Sequence, residues 1–220
     1  MSIKLSFAEK YTQEHAKRYF HKHKQGFRRP LTTWRENAIA RKALKLAGNP
    51  KRILDLPCGA GRFWEMLVED PSRQLYAADN SQNMIDAAKT LSRPEVASRF
   101  ECLQASAFEI PFKANFVDHI LCMRLFHHIS QPAHRMQLLN EFHRVAKETV
   151  CISLWVDGNL QASRLKKRVE RQNPSRVVDR IVIPRAVIED EIKQAGFEII
   201  KYMDVLPKIA MWRFYILRKK

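Results

Sequence analysis

Long apolar runs are missing from this 220-residue chain. None approaches the ~20 residues that span a bilayer, and the first residues lack the apolar core of a secretory signal, so an intracellular, cytoplasmic protein without a transmembrane segment is expected. Cysteine is sparse and scattered. Cys58, Cys102, Cys122 and Cys151 stand singly, with no Cys-x-x-Cys pair and no matching histidine spacing, which argues against zinc and against a disulfide framework. Three of the four fall in predicted buried strands, where a free thiol is a small hydrophobe. No Gly-Lys-Ser/Thr follows the glycine turn described below, which excludes a P-loop. Glycine and proline are modest at 6 and 10, and 45% of residues are hydrophobic, so the chain reads as globular rather than disordered.

Acids are the minority charge: 23 Asp and Glu face 39 Lys and Arg, for a net +16. The imbalance is local. Residues 1–50 hold twelve cations against three acids and residues 160–185 hold eight against two, whereas residues 51–159 are close to neutral. Such excess is either a pair of solvated helix faces or a rim that draws in an anionic substrate or surface.

The chain is organised around residues 53–62, Ile-Leu-Asp-Leu-Pro-Cys-Gly-Ala-Gly-Arg. An apolar run ends in Asp55 and passes at once into a glycine turn and a helix-compatible segment, the way a buried parallel strand delivers backbone to a nucleotide-type ligand. Gly59 and Gly61 free the main chain to lie against that ligand at a helix mouth. The dinucleotide fingerprint wants a third small residue where Trp64 stands, which disfavours a nicotinamide dehydrogenase.

The stretch resembles motif I of the class I S-adenosylmethionine-dependent methyltransferases, Leu-Asp-x-Gly-Cys-Gly-x-Gly, through Asp55, Gly59 and Gly61, with Pro57 in place of the first glycine. The resemblance runs over residues 34–155 and 184–218. It implies an α/β, Rossmann-like fold with a seven-stranded, mostly parallel sheet, helices on both faces and an N-terminal helical lid. S-adenosylmethionine is then the cofactor. Asp55, Pro57, Gly59 and Gly61 would shape its methionine pocket, and Asp79, followed by Asn80 at the end of the second strand, would take the ribose hydroxyls. Ser106 and Ala107 would border the adenine, in a segment similar to the family's Asp-Ala-x-x-Leu-Pro-Phe. Residues 116–129 are similar to the family's Phe-Asp-x-Val…Leu-His-His-Leu and would set Met123 and Arg124 on the sulfonium side. In some members an arginine near the position of Arg35 meets the cofactor carboxylate.

The whole of residues 1–220 reads as one domain, with a basic aromatic lid at 1–31 and a basic insertion at 157–183. Thr33-x-x-Glu36 reads as a capping box that starts a helix ending at Gly48-Asn49-Pro50. Methyl transfer asks only for alignment, exclusion of water and, for some acceptors, the handling of one proton, so no triad or metal signature is required. His127, His128, Tyr11 and His15 are the candidates for that proton. The acceptor is expected to be a small or amphiphilic molecule, anionic in character. The alternatives are tRNA or another RNA, in line with the pI near 10.0, or a non-catalytic cofactor- or RNA-binding partner protein. Resemblance to ubiquinone/menaquinone C-methyltransferases and to tRNA wobble-uridine carboxyl methyltransferases spans both acceptor classes, and contact with a membrane surface is compatible with the first.

Overall fold

A computed structural model describes residues 28–171 and 180–220. Tyr11, His15 and most of the expected lid lie outside the described residues. Within them, helix α1 (Arg28–Leu46) leads to β1 (Arg52–Asp55), the short α2 (Trp64–Leu67), β2 (Gln74–Asp79), α3 (Gln82–Leu91), α4 (Pro94–Ala97) and β3 (Phe100–Gln104). Then come β4 (Val117–Cys122), a 3-10 turn at Phe126–His128, α5 (Pro132–Val145), β5 (Ala146–Trp155), α6 (Leu160–Arg171), α7 (Arg185–Gln194), β6 (Phe197–Asp204) and β7 (Trp212–Lys219).

The seven strands form one sheet in the order β3-β2-β1-β4-β5-β7-β6. β3 to β5 pair in parallel, and β7 enters antiparallel between β5 and β6. The expected mostly parallel α/β sheet is the observed one. The order reverses between β1 and β4, and in an open α/β sheet that reversal opens a crevice beyond the carboxyl ends of the strands.

Strand alternation explains the two layers of core. Leu54, Ile120, Val150, Ile152 and Leu217 face a cluster closed by Leu138, Phe142, Ile188 and Ile192 of α5 and α7. Their neighbours Ile53, Leu121, Cys151 and Ile216 face the other cluster, with Ala43 and Leu44 of α1, Met66 of α2 and Ile85 of α3. Helices therefore cover both faces. Cys58, Cys122 and Cys151 are buried thiols within this packing.

The helix before β1 differs from its sequence reading. It begins at Arg28 rather than after Thr33, so no capping box forms and Glu36 lies in the helix interior, 1% exposed. What holds a buried carboxylate there belongs to the site.

Candidate active site

The loop after β1 is fixed by its neighbours on both sides. The Leu56 N–H donates to the Leu121 carbonyl of β4 at 3.1 Å and the Cys58 N–H to the Ala78 carbonyl of β2 at 2.8 Å, so the turn bridges the gap where the strand order reverses. Gly59 and Gly61 have φ of +54° and +74°. A Cβ on Gly61 would stand 3.1 Å from the Trp64 ring and 3.4 Å from the Ala88 methyl, so that glycine serves packing beneath the loop. Trp64 itself is fully buried and stacks on Phe100 at 4.2 Å.

Asp79 ends β2 and organises the loop. Its carboxylate accepts the Gly59 N–H and the Ser81 N–H, both at 3.0 Å. Burial raises its pKa, and the amides of Ser81, Gly59 and Asn80 pull it back toward the charged form. Asp55 is different. It is 1% exposed, neither carboxyl oxygen has a hydrogen-bond partner among the described residues, and it does not line the cavity. Burial pushes its pKa well up, the Asp79 charge adds to that, and the nearby Trp64 indole offsets part of it although no hydrogen bond closes.

The cavity opens beyond the carboxyl ends of β1, β2 and β4. Pro57, Gly59, Asp79, Asn80, Ser106 and Ala107 line one part of it, and Met123, Arg124, Leu125 and His128 line the other. Among the described residues, those predicted from the sequence thus converge, with four exceptions. Asp55 lies beneath the floor, and Gly61 packs under the loop. His127 is 2% exposed and absent from the lining. Arg35 donates to the Val205 carbonyl at 3.1 Å and lines a separate groove with Lys42, Lys208 and Arg213. Ser106 uses its hydroxyl locally, as acceptor for the Phe108 N–H at 3.2 Å.

Glu36 and Arg62 were not foreseen as site residues. Arg62, directly after the glycine turn, donates to Glu36 Oε2 at 2.5 Å and to Thr33 Oγ1 at 3.1 Å. Arg124 donates to Glu36 Oε1 at 2.6 Å. Both arginines line the cavity, so one buried carboxylate spans two cations at its rim. Arg124 has a φ of +62°, and its N–H donates to Ser153 Oγ at 3.0 Å. Its guanidinium lies 4.8 Å from the Trp212 ring, with Nε buried and unpartnered among the described residues. A bulky residue kept in left-handed backbone by surrounding contacts is a feature concentrated at functional sites. The one signal in the sequence was an acid at position 36 on the apolar face that Ile39, Ala40 and Ala43 define.

Next to Arg124 is an aromatic corner. His127 stacks on Trp155 at 4.9 Å and meets Trp212 edge-on at 4.9 Å, while Arg180 lies 5.6 Å from the Trp155 ring. Burial, then the neighbouring His128, Arg180 and Arg124, lower the His127 pKa to about 2, so it stays a neutral ring. His128 is the histidine that reaches the cavity.

Residues 53–149 match the methyltransferase domain family. The fold is that of the magnesium protoporphyrin IX methyltransferase of Synechocystis PCC 6803, solved with bound SAH: the TM-score is 0.79 over 97% of this chain and 98% of that one, at 15% identity. The matched stretch is similar to methyltransferase domains, and the chain has the fold of that structure. The chain is 31% identical over 105 residues to the demethylmenaquinone methyltransferase of Lactococcus lactis subsp. lactis (strain IL1403), and 28% identical over 95 residues to an uncharacterised methyltransferase-like protein of Schizosaccharomyces pombe. These matches take in 46% and 43% of this chain and 40% and 34% of those proteins, so the chain spans two fifths or less of the curated relatives it matches.

The cavity suits S-adenosylmethionine in its donor set. Its lining brings together a buried acid with oxygens oriented by amides, the small residues at 105–107 and two arginines that share one carboxylate. Among the described residues no group of three His, Cys, Asp or Glu is placed to hold a metal ion.

Proposed function

We propose that the chain transfers a methyl group from S-adenosylmethionine to a small or amphiphilic acceptor that is anionic. The observation that carries this reading is the Arg124 guanidinium, which lines the cavity wall, bonds Glu36 and lies against the Trp212 ring of a flat aromatic corner. When bound, the cofactor supplies an activated methyl on a sulfonium. The chain's own residues supply position. Asp79 would accept the ribose hydroxyls while it holds the Gly59 amide, and Ala105 and Ala107 would leave the adenine its slot. Met123 and Leu125 would exclude water where the methyl passes, which favours transfer over hydrolysis. Arg124 would orient an acceptor oxyanion, with the Trp212 face under its guanidinium. An acceptor already ionised needs no base. For a neutral hydroxyl or amine, His128 is the group at the cavity to take the proton, and His127, held neutral, serves as a wall.

The test is transfer of tritiated methyl from S-adenosylmethionine into a cell extract fractionated by anion exchange. Label is expected in anionic, RNase-resistant small molecules, and none with Arg124→Met. Label lost on RNase treatment would favour the RNA reading, for which the exposed Arg164, Lys167 and Arg168 of α6 are the supporting feature.

A further inference from the structure

The β6–β7 turn is an apolar tip. Leu206 and Ile209 are each 49% exposed, and Leu160 at the start of α6 is 53% exposed. Backbone bonds bring them together: the Leu160 N–H donates to the Lys208 carbonyl and the Gln161 N–H to the Ile209 carbonyl, both at 3.0 Å. Arg35 of α1 reaches the adjoining Val205 carbonyl, and the residue before it, Trp34, is 62% exposed. A protein surface tolerates single exposed apolar side chains, whereas a group of large ones on a turn marks a contact surface.

Cations flank this tip on two sides. In the adjoining groove Arg185 is paired with Asp157 and Arg213 with Asp204, but Arg35, Lys42 and Lys208 have no carboxylate in ion-pair range among the described residues. On the other side Leu160 shares its helical face with Arg164, Lys167 and Arg168, all exposed. Six cations therefore surround the apolar tip without neutralising acids among the described residues. The tip also stands at the right end of the sheet. β6 runs parallel to β5, so the turn that follows it lies at the carboxyl edge, where the cofactor cavity opens; Trp212, just past the turn, carries Arg124 of that cavity.

We infer that this edge docks on an anionic phospholipid surface, the apolar tip entering the headgroup boundary while the six cations meet lipid phosphates. Aliphatic side chains beside an exposed tryptophan, flanked by Lys and Arg, suit that interface. The orientation turns the cavity mouth toward the bilayer, so an amphiphilic molecule reaches it from the lipid. The docking itself does not depend on which acceptor is used.

The test is co-sedimentation of the whole chain with vesicles of phosphatidylcholine alone and of phosphatidylcholine mixed with phosphatidylglycerol, at low and high salt, with unfractionated tRNA as a competing partner. Binding to the mixed vesicles, weak binding to the neutral ones and loss of it in high salt are expected. The pair Leu206→Ser with Ile209→Ser, and separately the triple reversal Arg164→Glu, Lys167→Glu and Arg168→Glu, should each lower the partition coefficient about tenfold or more. Both sets lie away from the cavity, so their affinity for S-adenosylmethionine should equal the parent's, which separates a failed surface from a misfolded chain or a failed cofactor assignment. Indifference to phosphatidylglycerol, tRNA binding that excludes vesicles, or vesicle binding untouched by the serine pair would each overturn the inference.

Discussion

Asp55 and Asp79 stand at the ends of adjacent strands, yet packing gives them opposite tasks. Asp79 is oriented by amides and open to the cavity, whereas Asp55 is sealed beneath it without partners among the described residues. A carboxyl whose folded pKa is raised contributes stability below its unfolded value near 4 and loses it as pH rises toward the folded value. Asp55→Asn should therefore leave stability unchanged or higher at neutral pH, read as the urea midpoint, and lower relative stability would mean that Asp55 is ionised and paired. Histidines give the reverse dependence. His119 and His127 have pKa values lowered to about 3 and about 2, chiefly by burial, so the unfolded chain takes up protons that the native chain refuses. Below pH ~6.5 stability should fall by roughly 1.4 kcal/mol per pH unit for each, down to their folded values. His127→Phe, which keeps a flat ring against Trp155, should make that loss shallower between pH 6 and 4; an unchanged slope would refute the assignment.

Among the elements, α1 shows where sequence reasoning stops. A Thr-x-x-Glu pattern has the same letters whether it caps a helix or lies within one, and only the distant Arg62 and Arg124, 26 and 88 positions away, decide what Glu36 does. The strands were legible because burial on both faces leaves continuous apolar runs, and the cavity residues were legible because strand ends put them there. Glu36→Ala should cost about 2–4 kcal/mol of unfolding free energy, since it removes the carboxylate that both part-buried arginines bond, and should weaken cofactor binding as well. Lost stability with unchanged affinity would confine Glu36 to a structural role. Helix α5 acts on the loop after β3, whose residues 105–108 line the cavity. Glu141 accepts the Ile110 N–H at 2.7 Å, and Arg144 donates to the Ile110 and Phe112 carbonyls at 2.8 and 2.6 Å. Arg144→Met should raise the dissociation constant for S-adenosylhomocysteine several-fold while sparing the far end of the cavity, as calorimetry with adenosine alone against methionine alone would show.

At the scale of the molecule, charge is divided by function. The near-neutral stretch at 51–159 builds the cofactor cavity, and among the described residues Arg35, Lys42 and Lys208 gather in a separate groove. Composition foretold the basic excess but not its shape, because the groove beside Arg35 comes from α1, the β6–β7 turn and residues 156–159 meeting across more than a hundred residues of sequence. The central claim is that the cavity at the β1–β4 reversal holds S-adenosylmethionine through Asp79. Calorimetric titration of the whole chain with S-adenosylmethionine and S-adenosylhomocysteine, repeated with Asp79→Ala, tests it most directly. Both should bind the parent chain, and the variant should lose about 1–3 kcal/mol of binding free energy while remaining folded. Equal affinity in parent and variant, or no binding to a folded parent chain, would contradict it.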